Sequence, residues 1–561
     1  MNKNIFIALI AACMAMSACQ HAERPKGIEH VVIIGLDGLS SWGLQVAHTP
    51  CMDSLLQNGA YSYSVRGILP TVSTPNWATM MAGVGPEGTG AVDNSWRNGA
   101  LTFPYVAMTP EKKYPTIFRI IREQMPDAVM GCIHNWRGFG NMYEQDLLDL
   151  DENYDEDADV ALHSAAYIKA KKPTFMFCYF TDPDHTMHGK GHLSPAFLDI
   201  VATLDGYVQT IVRAIHEAGI ADKTLIMIAS DHGGIYYAHG SNTYEELCTP
   251  FIFSGKGVKK NYRVRQQIYR YDLAADVAFA LGLTPPQQWV GRPTKPAYEG
   301  FDEPANWWPS ADVLPSPAFV TKEINETFVY GGLWVDEPAV VNIKARPDTK
   351  GDIRYTLDLT VPTVASPLFA APVRLDEPGV VKAKIFGQTG ESMTVEGQYR
   401  VADTRAGNGL NYTLYHCPEQ QSMPSFDGLK PVSRGVCYEF GFHTPENRKT
   451  MPLNEAIAAY QNRIAVLYEG WVEIDADKEY EFHVWSTGGS KLFIGNELIV
   501  NNRSNGHTGN SGCIELTKGR HPIRVEFFHI DNATGSILNV YYEARGLPKM
   551  LLPAEKLFLN K

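Results

Sequence analysis

The sequence predicts an α/β layered domain on a central, mostly parallel sheet, followed by a β-rich second half. Two observations carry the first part. "HVVIIGLDG" (30–38), "TFMFCYFTD" (174–182) and "TLIMIASDHGG" (224–234) are unbroken apolar, β-prone runs. Such runs suit strands buried on both faces, as in a parallel sheet covered by helices. Between them lie helix-like segments at 116–125 and 196–218. In "FLDIVATLDGYVQTIVRAIHEAG" apolar residues return every three or four positions, and Gly219 stands where a helix stop belongs. Strands and helices alternating over residues 28–300 give one layered unit.

Around 296–316 the texture changes to Pro, Trp and acidic residues, which reads as a linker or packed connecting loop. Short alternating strands with turn residues between them then fill 317–402, and a further β-rich section runs over 405–561. At 561 residues, 44 % of them hydrophobic and 11 % aromatic, the chain is long enough for several globular domains. The formal charge of −13 argues against a nucleic-acid backbone as partner. It leaves a phosphate substrate open, because bound metal ions reverse a local field.

The N-terminus reads as an export signal. Lys3 is followed by the apolar stretch "IFIALIAACMAM" and then by "MSAC", too short a run to span a bilayer as a mature helix. Met16, Ser17 and Ala18 before Cys19 resemble a bacterial lipobox. That resemblance implies a signal peptide over 1–18, a lipidated Cys19, and a chain exported and anchored to a bacterial membrane, in the periplasm or at the cell surface. The cysteines after it form no CxxC pair, which disfavours a thiolate metal site. Cys417 and Cys437 are the candidates for a disulfide in an oxidising compartment.

Each buried run ends in groups that carry chemistry. Asp37 follows the first; Asp182, Asp184, His185 and His188 follow the second; Asp231 and His232 follow the third, with His239 seven residues on. Ligands of open α/β sheets bind beyond the carboxyl ends of the strands. Mixed His/Asp sets at loop ends suit zinc or a similar ion. A single strand-terminal Asp is more often a turn former; three such ends together are not explained that way.

"IGLDG", "PTVSTPNW", "TDPDHTMHG" and "SDHGG…HG", in this order, resemble the alkaline phosphatase superfamily, in particular its phosphodiesterase/nucleotide pyrophosphatase branch. The resemblance implies an alkaline-phosphatase-like catalytic domain over 28–300 and two zinc ions, or another divalent metal. One ion would be held by Asp184, His188 and His239, the other by Asp37, Asp231, His232 and the nucleophile oxygen. Alignment on the Pro-Asn pair puts Ser73 at the attacking position. It also gives Asn76 an amide contact to a phosphoryl oxygen. Thr74 is then expected as N-cap and Pro75 as first helical residue, of a helix ending near Gly83. Asp182, His185 and His192 are left as supporting or exposed groups, and Thr71 as structural.

The later sections resemble a chitobiase-type immunoglobulin-like module (317–402) and a protective-antigen-type β-sandwich (405–561). Calcium-holding members of the latter place an acidic pair where this chain has Ser486, Thr487, Gly488 and Gly489, so calcium-dependent sugar binding is not expected by that route. The preferred reading is an exported two-zinc hydrolase of phosphoric esters acting through a phospho-serine, on a diester or nucleotide pyrophosphate, with nucleotide or glycoconjugate esters as candidate substrates and carbohydrate as candidate ligand of the β modules. A phosphate monoesterase and a non-catalytic glycan-binding lipoprotein are the alternatives. A sulfatase is disfavoured because Trp77 stands where its signature needs Arg. Arg97, Arg137 and Lys190 are the candidate cations for a monoester dianion. Trp77, Trp96, Trp136 and Phe139 are the candidate aromatic walls of the substrate site.

Overall fold

The computed structural model describes residues 24–560 except 236–237, 307–312, 315, 321–330, 346–348, 389, 418–421, 441–452, 454–456, 458–459, 461–462, 503–507 and 530–537. The expected signal peptide over 1–18 and Cys19 lie outside the described residues. The chain divides into two compact units, Met1–Ser310 and Ala311–Lys561.

The first unit is built on an eight-stranded sheet. Its strands are β1 (His30–Leu36), β2 (Gly59–Arg66), β3 (Met130–His134), β4 (Leu150–Asn153), β5 (Phe175–Phe180), β6 (Thr224–Ala229), β7 (Cys248–Gly255) and β8 (Tyr262–Arg263). They lie in the order β4-β3-β5-β1-β6-β7-β2-β8. All neighbouring pairs are parallel except those of β7, which runs antiparallel to β6 and β2. The three apolar runs of the sequence are thus the adjacent strands β5, β1 and β6, and their carboxyl ends open side by side.

Both sheet faces are covered. Val31, Ile33, Phe175, Phe177 and Tyr179 point into a core shared with α1 (Ser73–Ala82), α2 (Ile117–Gln124) and α5 (Asp272–Leu281). On the other face Phe180 stacks on Tyr207 of α4 (Pro195–Glu217), ring centroids 6.1 Å apart. α4 starts where sequence chemistry says it should: Ser194 Oγ accepts from Phe197 N, Pro195 is its first residue, and Gly219 beyond its end takes φ +68°. A short helix, α3 (Asp184–Lys190), follows β5 and precedes it. Among the described residues no helix is long and apolar enough to cross a membrane.

The described residues of the second unit are mainly β, with short 3-10 segments at Thr404–Ala406 and Ala554–Lys556. A three-stranded and a six-stranded sheet enclose a core around Phe319, Trp334, Val341, Val381 and Tyr399. A seven-stranded and a four-stranded sheet enclose another around Leu414, Val466, Phe482, Val525 and Val540. Cys417 and Cys437 are both free thiols, in separate apolar clusters, so the candidate disulfide is absent. At the position of the missing acidic pair, Ser486 Oγ donates to Gly488 O at 2.6 Å and pairs with Ser490 Oγ, while Asn502 Nδ2 donates to Val484 O. Hydroxyls and an amide satisfy one another there.

Candidate metal centre and nucleophile

The loops leaving β1, β5 and β6 bring six predicted groups together. Asp37 is the first residue beyond β1, and its N–H donates to Phe180 O at the end of β5. Gly38 turns the chain at φ +73°, where an added Cβ would lie 2.8 Å from Asp184 Cβ and 2.9 Å from its Cα. Only glycine admits both that backbone and that approach. Asp184 N donates to Asp37 O, and Gly38 N donates to Asp231 Oδ1 at 3.1 Å. Backbone bonds between the three loops therefore set the spacing of the carboxylates.

Two donor groups result. One ligating atom each of Asp184, His188 and His239 lies within 4.8 Å of the others, and the same holds for Asp37, Asp184 and His232. Asp184 Oδ1 is 3.5 Å from His239 Nε2 and its Oδ2 3.5 Å from His188 Nε2. His232 Nε2 sits 3.1 Å from Asp231 Oδ2, 3.5 Å from Asp37 Oδ1 and 3.2 Å from Ser73 Oγ. The rings of His232 and His239 stack with centroids 3.7 Å apart. Asp184 stands between the two groups, where the sequence placed it in one alone.

The donor set fits divalent ions on three counts. Asp37 Oδ1, Asp184 Oδ1 and Asp231 Oδ2 are buried and accept no hydrogen bond, a costly state that a cation removes. His232 Nδ1 faces Gly233 O and His239 Nδ1 faces Thr71 O, each at 2.8 Å. A carbonyl there requires Nδ1–H, which leaves the Nε2 lone pair directed inward, as in ligating histidines. The electrostatics agree. Burial, then the charges of Asp231 and Asp184, raise the Asp37 carboxyl well above its ordinary range, and burial first of all pushes Asp231 up to about 7. Burial acts upward on Asp184 too, but the imidazoles of His239, His188 and His232 hold it below that range. Burial, then His239, pulls His232 down. Carboxylates that repel one another, beside a His232 imidazole that burial disfavours in its charged form, are a donor set that a bound cation relieves.

Ser73 Oγ lies at this cluster, 3.2 Å from His232 Nε2, but the local structure differs from expectation. α1 begins with Ser73 itself; Val72 is the N-cap and offers no side-chain bond. Thr74 Oγ1 is buried without a partner, while its N–H is taken by Asn94 Oδ1 at 2.9 Å. The side-chain acceptor at the helix start thus comes from a residue twenty positions away. The end is as predicted, with Gly83 in the left-handed region at φ +65°.

Asn76 does not reach the mouth of the site. It is wholly buried; Oδ1 accepts from Ile68 N, and Nδ2 donates to Pro70 O and Val72 O. Its amide is spent on the loop before α1. The exposed Asn94, missed in the sequence because nothing local marks it, is the amide beside Ser73.

Trp77 is no substrate wall either. It is wholly buried among Phe139, Phe177 and Tyr179, and its Nε1 donates to Asp37 Oδ2 at 3.1 Å. Tyr179 donates to the same oxygen at 2.5 Å. Phe139 and Trp96 are buried, and Trp136 is half-buried. Asp182 Oδ1 accepts from Thr186 N and Oγ1, His192 pairs with Ser40 Oγ, and His185 is exposed. Arg270, also unmarked in the sequence, is wholly buried and donates Nε to Asp231 O at 2.7 Å; burial lowers it to about 9, still cationic at neutral pH.

Comparison with known proteins is concordant. Residues 31–246 match the model of the type I phosphodiesterase / nucleotide pyrophosphatase family, 331–396 that of the chitobiase/beta-hexosaminidase C-terminal domain, and 448–550 that of the PA14 domain. The chain is 22% identical over 232 residues to ectonucleotide pyrophosphatase/phosphodiesterase family member 3 of Rattus norvegicus, covering 39% of this chain and 26% of that protein. It is 23% identical over 260 residues to family member 1 of Homo sapiens, covering 43% and 27%. It therefore spans about a quarter of the length of these relatives. Among solved structures, murine family member 5 with AMP aligns at TM-score 0.40 and 16% identity, over 46% of this chain and 97% of that one. A 2-O GAG sulfatase aligns at TM-score 0.41 and 15% identity, over 66% and 84%. The cluster lies within residues 31–246, the stretch similar to the type I phosphodiesterase / nucleotide pyrophosphatase family, and stretches similar to the chitobiase C-terminal and PA14 domains follow it.

Proposed function

We propose that this chain is an exported, lipid-anchored hydrolase of phosphoric esters that uses two divalent ions, zinc by donor chemistry, and Ser73 as nucleophile. The observation that carries the reading is the position of Ser73 Oγ, 3.2 Å from His232 Nε2 at the start of α1, beside three buried carboxylate oxygens without partners. Asp184, His188 and His239 would hold one ion; Asp37, Asp231 and His232 the other, with Asp184 in reach of both. When bound, such ions supply positive charge beside the attacking and departing oxygens of an in-line displacement.

The chain's own residues do the rest. At the helix start the Thr74 N–H is taken by Asn94 Oδ1, Pro75 has none and Asn76 N donates to Val72 O, so the donor offered to the phosphate there is the Asn94 amide nitrogen. Ser73 Oγ gives up its proton to solvent and bonds to phosphorus as the ester oxygen on the opposite side leaves with its electron pair, to be protonated from solvent, giving a phospho-serine. Water then breaks the Oγ–P bond, restores the hydroxyl and releases the phosphoryl product.

A diester or nucleotide pyrophosphate is the preferred substrate. A monoester dianion calls for an added cation, and Arg97, Arg137 and Lys190 are all solvent-exposed. The deciding experiment compares rates on a bis-aryl diester and an aryl monoester. The diester is expected to be faster, and Ser73→Ala to lose activity by on the order of 10³-fold or more. Retained activity in that variant would remove Ser73 from the role. For the β modules we propose carbohydrate as ligand; an intact chain that binds nothing on a glycan panel would end that part of the reading.

A further inference from the structure

The end of the first unit opposite the ester site carries positive charge that the ester chemistry does not use. There the starts of β1, β5 and β6 and the end of β7 are tied together. His30 Nδ1 lies 2.8 Å from Pro173 O, Glu29 N donates to Lys223 O, and Lys256 N donates to Thr224 O. The segment leading into β1 crosses the same end. Arg24 Nη1 donates to Leu281 O at the close of α5, and Pro25 Cβ lies 3.6 Å from where a Cβ on Gly257 would be.

Lys26, Lys171, Lys172 and Lys256 stand on these turns, with Lys260 just before β8. All five are exposed, and none makes an ion pair among the described residues. Carboxylates are fewer. Glu29 is taken by Lys223 at 3.0 Å and Glu217 by Lys169 at 3.3 Å, which leaves Asp222 and Glu299. At the carboxyl ends of the same strands Asp37, Asp182, Asp184 and Asp231 collect instead. In a chain of formal charge −13, this domain is therefore basic at one end of its sheet and acidic at the other.

The chain ahead of this end is short. Five residue steps separate Cys19 from Arg24, a reach of at most about 18 Å when fully extended. The seven residues of β1 put about 20 Å between that end and the ester site. An acyl group on Cys19 would thus hold the basic end, not the carboxylate cluster, beside its leaflet.

We propose that this face rests on an anionic lipid surface, the leaflet that holds the acylated Cys19, and that the ester site opens away from it. The inference rests on the lipid-anchor reading. A lysine close to an anionic leaflet strengthens binding about fivefold, and acyl chains gain from a basic patch beside them. Substrate then reaches Ser73 from the solution side and not from the anchoring leaflet.

Two arms of the test separate the face from the anchor. In the first, the chain from residue 20 onward, made without lipid, is sedimented with vesicles of phosphatidylcholine, alone or mixed with phosphatidylglycerol. It is expected to bind the anionic vesicles only, and less as salt rises. The double variant Lys171→Gln, Lys172→Gln is expected to bind on the order of 20-fold more weakly, with unchanged circular dichroism and rate on a soluble diester. In the second arm, the lipidated chain on anionic vesicles meets a water-soluble lysine-acylating reagent. Lys171, Lys172 and Lys256 are expected to be protected relative to vesicle-free protein, while Lys190, on α3 beside the ester site, reacts as before. Equal binding to neutral vesicles, full affinity in the double variant, or protection of Lys190 in place of Lys171 overturns the proposal. So does an affinity for soluble polyphosphate equal to that for anionic vesicles at matched charge. A Cys19 without acyl mass would instead overturn the anchor, and the first arm would decide the face alone.

Discussion

Trp77 Nε1 and Asp37 Oδ2 are 3.1 Å apart, and the indole donates to the carboxylate from wholly inside the core. Tyr179 donates to the same oxygen. With Oδ2 occupied twice, Asp37 has only Oδ1 to offer an ion, so the two rings fix how it ligates. Gly35 makes the arrangement possible: a Cβ there would lie 2.8 Å from the Trp77 ring. Trp77→Phe keeps an aromatic body and deletes the donor. Zinc affinity measured by chelator competition is expected to fall about tenfold, as for other partners of metal ligands. The Ser73-dependent rate at saturating zinc should change much less. Unaltered affinity would show the hydrogen bond to be incidental.

The metal-free site has a defined pH signature. Asp231 is pushed from the ordinary 3.8 to about 7, chiefly by burial. Its folded-state value is raised, so the native apoprotein binds more protons than the unfolded chain between those limits. Apoprotein stability from this group is therefore present at low pH and lost as pH rises through about 7. With zinc bound, the carboxylate is ionised and this loss disappears. Thermal melts with and without chelator should thus diverge as pH climbs from about 4 to 8, and zinc binding should release protons near pH 7. Parallel melts across that range would contradict the assignment.

How much of this was written in the sequence follows from which signals are local. Continuous burial of β1, β5 and β6 shows in their unbroken apolar runs, and the carboxylates at their ends follow because strand ends open to a ligand. The start of α1 differs from the expected one because Val72, which has no side-chain acceptor, is its N-cap, and the acceptor for Thr74 N–H, Asn94, lies twenty residues downstream. Trp77 and Tyr179 carry no outward mark: in a strand or helix with every residue buried, periodicity does not say which buried group donates to a carboxylate. Arg270 is likewise an interior arginine whose partner, the Asp231 carbonyl, is 39 residues distant.

His239 hangs from a similar non-local network. Its Nδ1 faces Thr71 O, while Thr71 Oγ1 donates to Ser241 O and Glu246 Oε2 and accepts from Gly240 N. Glu246 also takes the Ser241 hydroxyl and the Thr243 N–H. Thr71→Val preserves shape and removes the hydroxyl that links the two loops. Weaker binding of one zinc ion per chain, by about tenfold, is expected, with the second ion unaffected. Equal weakening of both would mean that the loop is not specific to His239.

Asn94 separates binding from turnover. Its Oδ1 is held by Thr74 N next to Ser73, which leaves the amide nitrogen as donor to an oxygen of the bound phosphate. A donor aimed at charge that develops during displacement acts mainly on the rate of the chemical step. Asn94→Ala is therefore expected to lower kcat by on the order of 10²-fold. Zinc content should be unchanged, because no proposed metal ligand bonds to Asn94. Asn94→Asp keeps the acceptor for Thr74 N–H but places a carboxylate against the phosphate, so it should be the slower of the two. Intact kcat and KM in both variants would make Asn94 a helix cap and nothing more, and a rise in KM alone would mean that it binds substrate without favouring the transition state.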